Sequence, residues 1–301
     1  MKINHNEAFL YYQKGEYPAV EKIYAIGDIH GDLNAFILVL KKAGLLNNDN
    51  HWCGGKAHVV QIGDILDRKI RDGEYTDEDS ETKIISLICK LQLEAFSSGG
   101  GFHCVIGNHE LMNILGIFDY VSPMGMKHFK NSDGRQNYFK IGGIFCKYLA
   151  CAWNPVIKIG DFIFCHGGIN ETIASKYTIQ HINFIMRDTL FGNSFHINEP
   201  YFTELFLSPE SILWNRDYSS DIPKNKENQK SKILSTILTK YNAKYIVLGH
   251  TPQTNGIKVR FNGRVFCIDT GMSEAFGQKK NKHERIHFLE ILPIKNEVCV
   301  H

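Results

Sequence analysis

Five short blocks of this chain have the residue types of a metal site, because each places an aspartate, histidine or asparagine directly after an apolar, β-prone stretch. Divalent metals accept the oxygen and nitrogen ligands that these side chains supply. One such residue after a strand is ordinarily a cap or a hydrogen-bonded loop residue, but five in succession predict a shared site. The chemistry expected there is two-metal hydrolysis of a phosphoester. The blocks are residues 27–31, 63–68, 107–110, 165–168 and 249–252.

Six side chains of these blocks are the predicted metal ligands. Asp28 and His30 lie two residues apart on one tight loop and are assigned to the first metal. Asp64 has two carboxylate oxygens to share and is expected to bridge both metals. The second metal is completed by Asn108, His166 and His250. Two metals ~3.5–4 Å apart bind phosphate oxygens and lower the pKa of a bridging water towards ~7. No cysteine or serine stands in a nucleophilic arrangement, so direct attack by the metal-bridging hydroxide is predicted.

Four further residues are predicted to act on the substrate. His109 follows ligand Asn108 and is expected to point towards the leaving oxygen as the general acid. Asp67 would orient that imidazole, as a carboxylate orients a catalytic histidine elsewhere; alternatively, Asp67 pairs with Arg68. The planar fork of Arg68 is suited to bidentate phosphate binding. Arg216 is a second phosphate-binding candidate that could equally stack on the neighbouring Trp214.

Alternating strand and helix signals must position these residues. Because Asp28 and His250 lie 222 positions apart, one shared site implies one domain over residues 1–301, with its motif core at about 22–273. Asn262-Gly263 predicts a hairpin near the C-terminus, which makes the sheets mixed. The fold class is therefore α/β, with two stacked sheets and helices outside. Strands are predicted at 20–26, 58–62, 102–106, 162–165, 245–248, 257–261, 264–268 and 285–292, helices at 33–40, 82–95, from 110, 179–190 and 232–241, and a surface loop at 217–231.

Composition narrows the class of partner. The net charge of +2, from 34 basic and 32 acidic residues, creates no overall field for nucleic acid or an acidic membrane. A small lysine cluster at Lys279, Lys280 and Lys282 is interpreted as a solvated loop. The start of the chain lacks a secretory signal, and no apolar run reaches the ~20 residues of a membrane span. Eight cysteines without a C-x-x-C pair indicate reduced thiols. We expect a soluble, cytoplasmic protein.

The blocks together resemble the phosphoprotein phosphatases among the calcineurin-like metallophosphoesterases, over about residues 23–273. The finer resemblance is to the Shewanella-like protein phosphatases, and is carried by residues 91–95, 108–113, 213–216, 249–253 and 269–273. It implies a four-layer α/β/β/α fold, two ions of Mn, Fe or Zn, and phosphoserine, phosphothreonine or phosphotyrosine on a protein as substrate. Lys69 departs from the family pattern, which has glycine after the arginine.

Two other functions remain open at this point. A diadenosine polyphosphate or other nucleotide hydrolase could use the same dinuclear core. Pro252 replaces the second histidine of a diesterase Gly-His-x-His motif, which weakens the phosphodiesterase alternative but not the dinucleoside-polyphosphate one. The second alternative is a catalytically inactive scaffold that docks phosphorylated partners.

Residues 118–143, rich in aromatics and methionine, are expected either to form a wall of the site or to join the core. The physiological substrate, the choice of phospho-residue, the native metal and the oligomeric state are left undetermined.

Overall fold

Two six-stranded mixed sheets lie face to face in the structure, a computed structural model that describes residues 5–71, 73, 75–277 and 284–301, with only the backbone of Lys224. The order of one sheet is β1-β6-β7-β8-β10-β9 and that of the other is β12-β11-β2-β3-β4-β5. The strands are β1 Glu16–Tyr17, β2 Ile23–Ile26, β3 His58–Gln61, β4 Gly101–Val105, β5 Trp153–Asn154, β6 Val156–Ile159, β7 Phe162–Cys165, β8 Tyr245–Leu248, β9 Lys258–Arg260, β10 Val265–Cys267, β11 Phe288–Leu292 and β12 Glu297–Val300.

Alternate residues along the strands build the layers. Val60 of β3 and Phe164 of β7 point into an apolar layer shared by the two sheets, whereas Val59 and Ile163, one position earlier, join the core beneath the helices. This follows from the two-residue period of a strand, which sends neighbouring side chains to opposite faces. The predicted four-layer arrangement of helices, sheet, sheet and helices is therefore confirmed.

Helices cover both outer faces. α3 packs on β4 of one sheet, and α9 packs on β6 of the other. Asp32 begins α2 by accepting a hydrogen bond from the Ala35 amide, as an N-cap residue does. The α-helices of the described residues are α1 His5–Tyr12, α2 Leu33–Lys42, α3 Glu81–Ser97, α4 Asn108–Ile114, α5 Pro123–His128, α6 Ser132–Phe139, α7 Ile144–Ala152, α8 Glu171–Lys176, α9 Ile179–Phe191, α10 Pro200–Phe202 and α11 Lys224–Lys240.

Every predicted strand is confirmed, with ends shifted by a few residues. The predicted hairpin is also present, since β9 and β10 pair antiparallel around Asn262 and Gly263, which both have positive φ. The predicted loop at 217–231 is partly wrong, because α11 begins at Lys224. Its first two turns are polar on every side, so they lack the periodic apolar signal that identifies a helix. The short strands β1, β5, β6 and β12 were not predicted.

Residues 118–143 serve both purposes that their composition left open. Phe139 is fully buried and packs edge-on against Phe145, so α6 joins the core. Tyr120 instead lines the cavity described below.

The lysine cluster Lys279, Lys280 and Lys282 lies outside the described residues. No helix in the described ranges is long and apolar enough to pass through a lipid bilayer. All eight cysteines lie in those ranges, and each is a free thiol.

A buried histidine pair crosses the sheet between β3 and β4. His58 Nδ1 lies 2.9 Å from His103 Nε2, and the rings stack at 14°. One neutral ring must donate to the other, so protonating both would break the contact. Burial lowers the pKa of His58 to about 4. Burial, and to a smaller extent the charge of the neighbouring His58, lowers the pKa of His103 well below its usual value.

This pair should make the fold sensitive to mild acid. An unfolded histidine takes up its proton near pH 6.5, whereas folded His58 does so near 4, so stability is full above pH 6.5 and falls between those values. At about 1.4 kcal/mol per pKa unit, His58 alone accounts for a loss of about 3 kcal/mol across that window. From pH 7.5 to 5.0, urea unfolding should show wild type losing about 2 kcal/mol more than His58→Gln. Equal losses in the two proteins would contradict this.

Candidate active site

The candidate ligands meet where parallel strands of both sheets end. β2, β3 and β4 are parallel neighbours in one sheet, as are β7, β8 and β10 in the other. A polar side chain follows the carboxyl end of each of these strands, which is where open α/β sheets bind ligands. These side chains are Asp28, Asp64, Asn108, His166, His250 and Asp269, and all but Asp269 were predicted ligands. A cavity of about 180 Å³ lies at this edge, lined by His30, Asp64, Arg71, Asn108, His109, Tyr120, Trp214, Arg216, His250, Pro252, Asp269 and Phe276.

The loops that carry these ligands adopt backbone conformations that most residues avoid. His30, Asp64 and His250 all have positive φ, at 41°, 52° and 65°. The left-handed region costs a residue with a Cβ roughly 1–2 kcal/mol, and such strain concentrates at functional sites. Hydrogen bonds between the loops hold the arrangement: the His30 amide donates to the Asp64 carbonyl, and the His250 amide donates to Asp28 Oδ2 at 3.0 Å.

Asp64 is common to two clusters of possible metal ligands. Ligand atoms of His30, Asp64 and His109 lie within 4.8 Å of one another, and so do those of Asp64, His166 and His250. Asp64 Oδ2 is 3.7 Å from His30 Nε2 and 3.2 Å from His166 Nε2. The structure therefore brings the predicted bridging carboxylate between the two histidine groups.

Hydrogen bonds to the backbone orient the histidine rings. His166 Nδ1 donates to the Ile62 carbonyl at 2.8 Å, so its Nε2 faces inwards. Nε2 lies 2.8 Å from Asn108 Oδ1 and 3.2 Å from Asp64 Oδ2, and the charge of Asp64 outweighs burial and raises the pKa of His166 to about 10. Without a metal, a proton on Nε2 joins these oxygens, and a cation bound here would take its place. His30 Nδ1 lies 3.1 Å from both the Leu66 carbonyl and Arg71 Nη2, and its Nε2 is on the side of Asp64.

The charges at this edge suit divalent cations. Among the buried side-chain atoms without a hydrogen-bond partner in the described residues, three belong to side chains at this edge: Asp28 Oδ1, His250 Nε2 and Asp269 Oδ2. Burial, and then the charge of Asp269, raises the pKa of Asp28 well above its usual value, and burial raises that of Asp269 to about 6. Burial lowers the pKa of His250 to about 2, so its imidazole is neutral. Crowded carboxylates and neutral imidazoles with unused lone pairs fit a divalent-metal site.

Glu110 organises the loop of Asp64 and was not predicted. Its carboxylate accepts hydrogen bonds from the amides of Asp64, Ile65 and Gly107 at 2.8–2.9 Å. Burial, and then the charge of Asp64, raises the pKa of Glu110 to about 7. Gly107 is required beside it, because a Cβ there would lie 2.2 Å from Asp64 Oδ1. The sequence did contain a signal for this role, because Glu110 follows His109 directly and is not needed as a metal ligand.

His109 and Asp67 make the contact that their spacing predicted. His109 Nδ1 lies 2.7 Å from Asp67 Oδ2, and Nε2 is on the cavity side, 3.9 Å from Asp64 Oδ2. Burial alone would lower the pKa of His109, but the charges of Asp64 and Asp67 outweigh it and raise the pKa. The Asp67 contact fixes the ring with Nε2 towards the cavity, and the raised pKa favours its protonated form, as expected of a general acid. Asp67 does not pair with Arg68.

Arg68 does not reach the cavity, which corrects the prediction that its fork binds phosphate. The side chain is buried, and Nη1 lies 3.1 Å from Asp32 Oδ2 while Nη2 donates to the Thr76 carbonyl at 3.0 Å. A further ion pair joins it to Glu274 at 3.4 Å. Its donors are thus used to tie together three loops around the site.

Arg71 occupies the position expected of Arg68. Its guanidinium lies between the rings of Tyr120 and Phe276, at 5.4 and 5.1 Å from their centroids. Nη1 donates to the carbonyls of Asp67 and Lys69, and Nη2 lies 3.1 Å from His30 Nδ1. Lys69 itself turns away, and its ammonium donates to the Asp119 carbonyl. The sequence signal that could have identified this residue was a second arginine, Arg71, three positions after Arg68.

Arg216 lines the cavity from the opposite loop. Its Nη1 donates to Thr251 Oγ1 at 3.2 Å and to the His250 carbonyl at 3.3 Å. Trp214 packs edge-on against His250, with centroids 5.8 Å apart. The sequence analysis assigned no role to Asp269, although this residue lies in the segment 269–273 that carried the family resemblance.

Known proteins are similar to this chain in sequence and in fold. Residues 21–254 match the family model described as calcineurin-like phosphoesterase. The chain is 33% identical over 290 residues to Shewanella-like protein phosphatase 1 of Plasmodium berghei, covering 93% of this chain and 77% of that protein. It is 30% identical over 298 residues to Shewanella-like protein phosphatase 2 of Arabidopsis thaliana, covering 84% and 72%.

Solved structures agree with the fold. A cold-active protein-tyrosine phosphatase of a psychrophilic Shewanella species matches with a TM-score of 0.72 at 24% identity, over 95% of this chain and 79% of that one. A serine/threonine phosphatase from Saccharomyces cerevisiae matches with a TM-score of 0.58 at 13% identity, over 98% and 87%. The chain belongs to the calcineurin-like phosphoesterases and, within them, to the Shewanella-like protein phosphatases.

Proposed function

We propose that this chain hydrolyses phosphomonoesters of protein side chains, phosphoserine/threonine or phosphotyrosine, with two divalent ions of Mn, Fe or Zn. Asp28, His30 and Asp64 would hold one ion, and Asp64 would bridge to the other. The remaining ligands of the second ion would be Asn108, His166 and His250. The observation that carries this proposal is the place of Asp64, whose Oδ2 is within 4 Å of both His30 Nε2 and His166 Nε2. The names of the relatives support a phosphoprotein as substrate.

The protein side chains have separate tasks in this reaction. When bound, the two ions neutralise phosphate charge and supply an activated water. Arg71 and Arg216 approach the cavity from opposite loops and would bind the outer phosphoryl oxygens. His109 would donate its Nε2 proton to the leaving oxygen, with Asp67 holding Nδ1. Tyr120 and Phe276 hold the Arg71 guanidinium between them, so it meets the phosphate already oriented.

The test is a metal-restoration assay. Protein stripped of metal should show no turnover, and Mn, Fe or Zn should restore hydrolysis of a phosphopeptide panel. Diadenosine tetraphosphate and bis-para-nitrophenyl phosphate, at equal concentration, should be hydrolysed far more slowly. Faster hydrolysis of diadenosine tetraphosphate would transfer the proposal to a nucleotide substrate. Failure of every metal to restore turnover would favour a scaffold instead.

The eight free thiols support a reducing, cytoplasmic compartment as part of this proposal.

The two arginines after Asp67 should respond differently to substitution. Arg71→Met removes a charge that faces the cavity, so the KM for a phosphopeptide should rise about tenfold or more, as loss of a charge-assisted hydrogen bond predicts. Arg68→Met removes a buried guanidinium that forms ion pairs with Asp32 and Glu274, so the free energy of unfolding should fall by about 3–5 kcal/mol. Urea unfolding and steady-state kinetics on both variants check this. A raised KM in stable Arg68→Met, with Arg71→Met unchanged, would restore the original assignment.

A further inference from the structure

Arg135 is a buried arginine that belongs to none of the predicted site motifs. It lies on α6, has no exposed surface, and is surrounded by the rings of Phe139, Phe129 and Phe118 at 4.8, 5.3 and 5.8 Å. A guanidinium in such an apolar setting is costly unless its donors have partners. Its position inside the protein therefore requires an explanation.

Two of its donors reach residues that in turn hold Asp67. Arg135 Nε donates to Asn113 Oδ1 at 2.7 Å, and Nη1 donates to Glu81 Oε2 at 2.7 Å. Asn113 Nδ2 donates to Asp67 Oδ1 at 2.8 Å, and Glu81 Oε1 accepts the Asp67 amide at 2.7 Å. Arg135 Nη2 itself lies 3.6 Å from Asp67 Oδ1. The guanidinium thus fixes both the carboxylate and the backbone of Asp67.

Asp67 needs this support because its conformation is unfavourable. Its φ is 71°, a region that most residues with a Cβ avoid. With Oδ1 engaged by Asn113, Oδ2 alone is directed to His109 Nδ1 at 2.7 Å. A carboxylate free to rotate would allow the imidazole to turn, and catalytic groups lose efficiency with small misplacements.

We propose that Arg135 is a positioning residue for the general acid: through Asn113 and Glu81 it locks Asp67 so that His109 presents its Nε2 proton to the leaving oxygen. This rests on the proposed function of His109. As water oxygen bonds to phosphorus, the bond from phosphorus to the ester oxygen breaks and its electron pair stays on that oxygen. The Nε2 proton then neutralises this oxygen, giving an alcohol or phenol. Of the two protons of the water, one stays on the inorganic phosphate and the other is released to solvent, from which His109 regains its proton.

The test compares leaving groups, because an acid matters only where the leaving oxygen is basic. Arg135→Lys keeps the charge beside Glu81 but loses the planar fork that reaches Asn113. We expect kcat for phenyl phosphate to fall about tenfold or more, a part of the ~10²–10⁴ that general acid catalysis contributes. We expect kcat for 2,4-dinitrophenyl phosphate, whose leaving group needs no proton, to change less than about twofold. Asn113→Leu provides a second variant with the same expected pattern.

Controls separate the failure of this proposal from that of the proposed acid. Arg187→Lys removes another arginine fork, one that donates to Asn154 Oδ1 and the Gln13 carbonyl away from the cavity, and it should leave both rates unchanged. If His109→Asn is selective for the poor leaving group but Arg135→Lys and Asn113→Leu are not, the positioning role of Arg135 is overturned. If His109→Asn slows both substrates equally, the acid role fails and the positioning role fails with it.

Discussion

Asp64→Asn is expected to abolish turnover and to remove the response of the protein to divalent metals. The amide keeps the size of the side chain but loses the negative charge and one oxygen donor of the only carboxylate in both ligand clusters of the described residues. Charge neutralisation by metals supplies several kcal/mol at the transition state, so kcat should fall by roughly 10³-fold or more. Metal content by elemental analysis should fall with it.

Thermal unfolding distinguishes this outcome from simple misfolding. In wild type, metal at 100 times its dissociation constant should stabilise the fold by about 2.7 kcal/mol. Asp64→Asn should show no such gain, whatever its stability without metal. Its metal-free stability reflects two opposed effects, because the Asp64 charge repels Asp28, Glu110 and Asp269 but is attracted by His166 and His109, which lower the pKa of Asp64 against its burial. A variant that still gains stability from metal would refute the bridging role.

His109→Asn is expected to lower kcat for a phosphopeptide by roughly 10²–10⁴-fold, the range that general acid catalysis contributes. Asparagine has no proton to transfer at neutral pH, and it cannot replace the 2.7 Å contact with Asp67 Oδ2. Metal content should stay near the wild-type value, because His109 is assigned to the acid role and not to the ligand set. Steady-state kinetics and metal analysis on one preparation check both statements.

The location of His109 makes this a demanding test. Its ring lies within the cluster of His30 and Asp64, so a ligand role is geometrically possible. Loss of metal in proportion to loss of kcat would assign His109 to the metal and remove it from the acid role. His181→Asn, an exposed substitution on α9, is the matched control and should leave kcat and metal content unchanged.

The arginine proposed to bind phosphate shows where the prediction from spacing was wrong. Arg68 follows Asp67 directly and has the right chemistry, but its side chain enters a pocket that contains Asp32 and Glu274. Arg71, three residues later, returns to the cavity because its backbone amide bonds to the Ala275 carbonyl and its guanidinium fits between Tyr120 and Phe276. Glu274, Ala275 and Phe276, more than 200 positions away in sequence, take part in this choice, and local spacing contains no record of them.

The amino-acid sequence by itself indicated the class of chemistry and the order of the proposed ligands. A polar residue directly after a buried strand can only lie at the carboxyl edge of a sheet, so residues such as Asp28 and His250 were predictable from the strand that precedes each of them. Only the tertiary structure decided which charged side chains face that edge and which support it from behind. Asp269, Glu110 and Arg135 lie near the reacting groups through hydrogen bonds and packing between separate loops and helices, and such contacts leave no periodic pattern in the chain.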